Sequence, residues 1–315
     1  VGFGASSQPK FFKSCTPVRT HVGSKGPMRC SAALPDNEII ERARNTQLIV
    51  TDVDGTLLNS SQQLTLRTEQ AVKAAQDAGV PTIVATGKTR GPWSKDVLPR
   101  LGPPMPGIFV QGLLIYDEAG EIIYSNPLPD HIALEGIQFA KKHGVSLIAF
   151  CQDRILCESE DEHTDRTLDF GEPRAEAMGP LEDVLGEVEM HKLILMGEES
   201  TLERIRPEAE ALFEGRAALT VAVPGMLEIL PKGASKGQAV EWLLNHMKID
   251  PSNVMAFGDG ENDVEMLRLV GASVSVENAG THARSASITV TASNDEDGVA
   301  QAIEKFVLAP RNILV

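Results

Sequence analysis

Apolar positions fall into short blocks separated by amphipathic stretches, and the order of the blocks predicts an α/β protein. Thr46-Gln47-Leu48-Ile49-Val50 has strand length and runs straight into an acidic, glycine-containing segment at Asp52. An amphipathic helix follows from about Thr65 to Gly79, then a second strand over 80–85 that ends in the small-residue turn Thr86-Gly87-Lys88. Strand, turn and helix in repeated succession predict a doubly wound parallel sheet. Residues 107–125 read instead as two strands around the turn Asp117-Glu118-Ala119-Gly120, a hairpin rather than a crossover.

Residues 128–222 contain strands (145–150, 192–196) and helices (132–143, 201–213) among acidic loops, without a small-residue turn of the earlier kind. This stretch is expected to be an inserted α/β cap domain. The doubly wound pattern is expected to resume at Met226-Leu227-Glu228-Ile229-Leu230, with a helix from Ser235 to about Met247 and a strand over 254–257. Apolar segments at 272–276 and 288–290 would complete the sheet. The expected organisation is a leader over 1–35, a catalytic core from 45–127 and 223–308, and the cap over 128–222.

Charge changes the picture at the N-terminus. Residues 1–35 carry five lysines or arginines and no acid, while the rest is near −20. An acid-free leader rich in Ser, Thr and Gly has the composition of an organelle transit peptide, and Met28-Arg29-Cys30-Ser31-Ala32-Ala33 looks like a plastid processing site. A plastid location is therefore expected. The acidic body repels a phosphate backbone, which favours a small-molecule partner over nucleic acid. No apolar run approaches the roughly 18 residues of a membrane span. Of the four cysteines, Cys15 and Cys30 lie in the leader. Cys151 and Cys157 form no metal-ligand spacing and read as ordinary thiols, although a bridge between adjacent strands is geometrically open.

Ligands of open parallel sheets bind beyond the carboxyl ends of the strands, so polar residues that follow strands carry the most weight. Asp52 and Asp54 follow the first strand, Thr86 the second, and Asp259 and Asp263 the late one, within Gly258-Asp259-Gly260-Glu261-Asn262-Asp263. Carboxylates brought so close repel unless a cation sits among them, and Mg²⁺, with its preference for oxygen ligands, is the expected ion. Lys236 opens a helix, where the macrodipole disfavours a cation; the position makes sense if ammonium and helix terminus together receive an anion. No calcium loop, dinucleotide fingerprint or P-loop is present.

Together these segments resemble the haloacid dehalogenase superfamily, specifically its Cof-type branch of small-molecule phosphatases. The resemblance covers residues 47–306 and rests on Asp52-Val53-Asp54-Gly55-Thr56, Thr86-Gly87, Lys236-Gly237 and Gly258 to Asp263, in order. More narrowly, Phe109 to Leu114 and Ile148 to Arg154 are similar to the phosphatase half of plant plastid proteins that also carry a YbeY-like endoribonuclease domain. The resemblance implies a Rossmannoid core and a phosphate monoester hydrolysed through an aspartyl phosphate. In that scheme Asp52 is the nucleophile, Asp54 the general acid and base, and Lys236 a further catalytic residue. Thr86, Gly87, Lys236 and Asn262 hold the phosphate. Asp52, Asp54 (through its main-chain carbonyl), Asp259 and Asp263 form the Mg²⁺ site, where Asn262 and Asp263 orient the ligands.

Two departures bear on the substrate. Lys88 stands where many Cof-type members have Arg, and Gln111-Gly112 where they usually have Asn-Gly; the first loses bidentate phosphate recognition. Two other readings stay open at this level: a phosphomutase-type transferase, and a non-catalytic plastid binding or scaffold protein on the same fold. His163, Arg166 and Arg174 in the cap are candidate specificity groups or plain surface charge.

Overall fold

The computed structural model describes residues 34–313. The leader through residue 33, with Cys15, Cys30 and the plastid-type processing stretch, lies outside the described residues. Leu34, assigned to the leader on composition, packs against the core and donates its N–H to Ile288 O at 3.1 Å.

Helix α1 (Asp36–Ala43) leads into β1 (Leu48–Thr51), α2 (Leu66–Asp77), β2 (Thr82–Val84) and α3 (Pro92–Val97). Thr65 starts α2 because its hydroxyl accepts the Thr68 N–H, at 3.2 Å, satisfying an otherwise orphaned donor. Strands β3 (Gly107–Phe109), β4 (Leu114–Tyr116) and β5 (Ile122–Ser125) form a small antiparallel sheet. The expected hairpin is β4 and β5, with Asp117 to Glu121 as its turn, and β3 is an additional strand.

Next come α4 (Asp130–His143), β6 (Ser146–Cys151), β7 (Arg154–Cys157), β8 (Glu176–Ala177), β9 (Lys192–Met196), α5 (Glu199–Phe213), β10 (Ala217–Val223) and β11 (Met226–Pro231). The chain ends with α6 (Lys236–Met247), β12 (Val254–Gly258), α7 (Val264–Leu269), β13 (Ala272–Ser275), α8 (Thr281–Ala286), β14 (Thr289–Val290) and α9 (Gly298–Ala302).

A five-stranded parallel sheet of order β14-β13-β12-β1-β2 forms the core. Strands β1, β2, β12 and β13 are buried throughout, as expected of a sheet covered by helices on both faces, and only the edge strand β14 has an exposed residue, Val290. A second, largely antiparallel sheet of order β10-β11-β9-β6-β7-β8 forms the cap. Strand β11 overturns one expectation: Met226 to Leu230 does not resume the parallel sheet but pairs antiparallel with β9 and β10 in the cap. The return to the core therefore begins after Pro231. A short apolar run before a helix is what a βα unit looks like in one dimension, and only pairing partners distinguish the two sheets.

Side chains alternate across the cap sheet. Leu147, Ala149, Leu193, Leu195, Leu227 and Ile229 pack under α4 and α5, while Ile148, Phe150, Ile194 and Met226 turn towards the core. Cys151 and Cys157 fall on these two opposite sides, opposite Arg154 and Ile148 respectively, and both are free thiols. Among the described residues, no helix is long and apolar enough to cross a membrane.

One backbone contact ties the small sheet to the start of α6. Gly112 has φ +89°, and a Cβ there would stand 2.7 Å from Ser235 O and 2.9 Å from the Ala239 Cβ. Gly112→Ala should combine left-handed strain with a backbone clash and destabilise the fold by about 2–4 kcal/mol, read as a lower urea midpoint. An unchanged midpoint would mean that α6 yields at no cost.

Candidate active site

The parallel register places the carboxyl ends of β1, β2 and β12 side by side. Asp52 leaves β1 with its N–H donated to Phe257 O at 3.0 Å, so the first residue beyond one strand is anchored to its neighbour. Gly55, at φ +74°, folds the chain back beneath Asp259; a Cβ there would lie 2.6 Å from Asp259 Oδ2. The Thr56 hydroxyl then donates to Asp259 Oδ1 at 2.7 Å.

Ser235 caps α6 by accepting the Gln238 N–H, which makes Lys236 the first helical residue. Lys236 is only 1% exposed. Its Nζ donates to Asp52 Oδ1 at 2.5 Å and to Asp263 Oδ1 at 2.8 Å. Asp263 Oδ2 accepts the N–H groups of Asp259 (3.0 Å) and Gly260 (2.9 Å). Asp263 thus binds the lysine with one oxygen and shapes the Asp259 turn with the other.

Burial pushes Asp52 well above the ordinary carboxylate range; Lys236 opposes the shift, and Asp263, Asp259 and Asp54 add to it. Asp259 is raised too, first by burial and then by Asp263. Burial alone would pull Lys236 down, but Asp263 and Asp52 outweigh it and hold the amine above its usual value, so it stays charged. Asp52, Asp259 and Asp263 offer carboxylate oxygens within 4.8 Å of one another. A crowded, buried, all-oxygen set, in which burial first and neighbouring carboxylates second raise Asp52 and Asp259, fits a hard divalent cation such as Mg²⁺.

The Asp54 side chain lies outside that group, with its Oδ1 2.6 Å from Lys88 Nζ. Lys88 also donates to Gln62 Oε1 at 2.9 Å and lies over the Trp93 ring at 5.4 Å. The lysine at the family's arginine position is therefore engaged with Asp54. Thr86 is fully buried and its hydroxyl accepts the Lys88 N–H at 3.1 Å, ordering the turn, whereas Gly87 and Asn262 line the cavity above.

That cavity, about 270 Å³, lies between Asp52 and the underside of the cap sheet. The cap residues that line it include Lys192 and Glu228, which sequence reading had not singled out. The signal was there: a single charge at the start of one apolar strand run and another inside a second. His163, Arg166 and Arg174 do not line it. Arg166 donates to Pro224 O and Gly225 O, and Arg174 pairs with Asp165 and Glu160. Glu172 reaches from the cap to the core, accepting the Thr89 hydroxyl (2.6 Å) and N–H (3.0 Å).

Comparison with known proteins follows the same lines. A sequence model of the haloacid dehalogenase-like hydrolases matches residues 49–303. A protein of Arabidopsis thaliana named as a chloroplastic YBEY endoribonuclease is 36% identical over 82% of this chain but 46% of its own length, so the chain spans about half of that relative. A phosphoglycolate phosphatase of Methanobrevibacter smithii is 28% identical, covering 84% of this chain and all of that one. The crystal structure of a haloacid dehalogenase-like hydrolase from Bacteroides thetaiotaomicron superposes with a TM-score of 0.74 at 26% identity, over 82% of this chain and 99% of the other. The chain belongs to the haloacid dehalogenase-like hydrolase family, in its Cof-type branch.

Proposed function

We propose that this haloacid dehalogenase-like hydrolase is a magnesium-dependent phosphatase of a small phosphate monoester, working through an aspartyl phosphate in the plastid. One observation carries the reading: the Asp52 carboxylate stands at the floor of a cavity beneath the cap, held by Lys236 at 2.5 Å, with Asp259 beside it. The phosphatase names of relatives support the reaction class, and the chloroplastic name of one supports the location.

In this scheme Asp52 attacks phosphorus and the bond to the leaving oxygen breaks, which divides one difficult displacement into two easier ones. Asp54 supplies the proton that the leaving oxygen needs, then takes one from the water that cleaves the aspartyl phosphate. Lys88, 2.6 Å away, keeps the Asp54 carboxyl in one orientation. Lys236, the Gly87 amide and Asn262 bind the phosphoryl oxygens, and Thr86 supports their turn. Asp52 and Asp259, with the main-chain carbonyl of Asp54, would hold Mg²⁺, which when bound neutralises charge on the phosphoryl group. Asp263 positions both Lys236 and the Asp259 turn.

The test is release of inorganic phosphate from 4-nitrophenyl phosphate. It should require Mg²⁺ and stop on chelation; absence of release from this and a broad panel of phosphorylated metabolites would overturn the reading. Metal binding should also show in stability. In the native state Asp52 and Asp259 keep protons that the unfolded chain gives up above about pH 4, so metal-free stability should fall as pH rises through that window. Saturating Mg²⁺ at pH 7 should raise the melting temperature by several degrees, because ligand at about 100 times Kd contributes roughly 2.7 kcal/mol. Asp259→Asn should remove that rise; an equal rise in the variant would place the metal elsewhere.

A further inference from the structure

The cap face above Asp52 is largely apolar, crossed by one connected polar track, with Thr167, Thr220 and Glu172 as the other polar cap residues that line it. Ile148 and Phe150 on β6, Ile194 on β9, and Val223 and Met226 around the β10–β11 turn contribute no hydrogen-bonding side chain. Within that wall Lys192 stands opposite Phe150, and Glu228 opposite Ile194. Their side chains, 3% and 5% exposed, pair at 3.0 Å. Lys192 also donates to Gly87 O at 3.2 Å and lies 4.3 Å from the Phe150 ring centroid. Glu228 Oε2 accepts from Gln111 Nε2 at 3.4 Å, and Gln111 Oε1 accepts from Asn262 Nδ2 at 3.0 Å. The track therefore runs from the cap to the edge of the phosphate site.

A buried ion pair is rarely the most stable filling for such a place, since apolar residues of similar volume often serve as well. Its presence in a ligand cavity points to recognition. A polyhydroxylated chain would lay several hydroxyls against isoleucine, valine and methionine, which offer them no partner. A flat ring would instead stack on the apolar wall and present its polar atoms along one edge.

We propose, resting on the phosphatase reading above, that the leaving group is a compact heteroaromatic alcohol whose polar edge is read by Lys192, Glu228 and Gln111. Open-chain sugar phosphates are disfavoured. The glutamine at the family's usual asparagine position extends the floor of the cavity to Glu228.

Calorimetric titration of the Asp52→Asn protein with Mg²⁺ separates binding from turnover. Pyridoxine 5′-phosphate, a hydroxymethyl heterocycle without an aldehyde, should bind at least about tenfold tighter than sorbitol 6-phosphate. In the same background Lys192→Met with Glu228→Leu, which removes both charges together, should weaken the pyridoxine ester at least about tenfold and the sorbitol ester less than about threefold. Asp54→Asn serves as the background if Asp52→Asn fails to melt cooperatively. Equal or tighter binding of sorbitol phosphate, or equal loss of both esters in a folded double variant, would overturn the proposal. Hydrolysis of 4-nitrophenyl phosphate by the unaltered protein reports separately on the phosphatase reading, so the two can fail independently.

Discussion

Asp52→Asn should lower turnover of 4-nitrophenyl phosphate by roughly 10⁴-fold or more, because an amide cannot form the covalent intermediate and the remaining groups only position. Uncatalysed monoester hydrolysis is slow enough that binding alone leaves little measurable rate. The substitution nearly preserves volume. Lys236 keeps Asp263 as a partner at 2.8 Å, and a neutral amide replaces the carboxylate that burial and its acidic neighbours disfavour in the charged form. Folding should therefore be retained, and without metal the variant should melt no lower than the parent at pH 7. Activity and stability are thus predicted to move apart. Retention of more than about 1% of kcat would remove Asp52 from the nucleophile's role.

Lys236→Met should do the opposite to stability. Lys236 is the cation between two buried carboxylates, so its loss leaves Asp52 and Asp263 facing each other in a water-poor site. Removing one partner of a buried pair costs about 3–5 kcal/mol, and the loss should show in the urea midpoint. The dependence on pH follows from the same charges. Without the ammonium, Asp52 is pushed higher still, so the variant's deficit should grow from pH 5 to pH 8 as the unfolded chain gains the advantage of ionising freely. Turnover should fall about 10²–10³-fold through lost stabilisation of the phosphoryl group. A deficit independent of pH would show that the lysine acts through packing rather than charge.

How far these residues were legible before folding depends on how local their signals are. Asp52-Val53-Asp54-Gly55-Thr56 announces itself because a buried run stops at a carboxylate and a glycine, and Gly55 does sit at φ +74° against Asp259. Lys236 was legible as a cation at a helix start. Its bonds to Asp52 and Asp263, 184 and 27 residues away in sequence, were not. Lys88 was noticed only as a departure from Arg, while its engagement with Asp54 is a matter of side-chain reach across two loops.

The strand Met226–Pro231 shows the limit more sharply. Period and length identify it as a strand, but the antiparallel partner that assigns it to the cap lies on β9, about 30 residues earlier. Its misplacement also hid Glu228, whose meaning depends on Lys192 across the sheet. By itself the sequence determined the strand–turn–helix order, the family and the cluster of chemistry at the strand ends, because these rest on local periodicity and short motifs. Only the tertiary structure decided which carboxylates share an ammonium, which sheet owns β11, and what roofs the cavity. Those outcomes depend on contacts between segments distant in the chain, where packing and charge compensation, rather than local preference, select the partner.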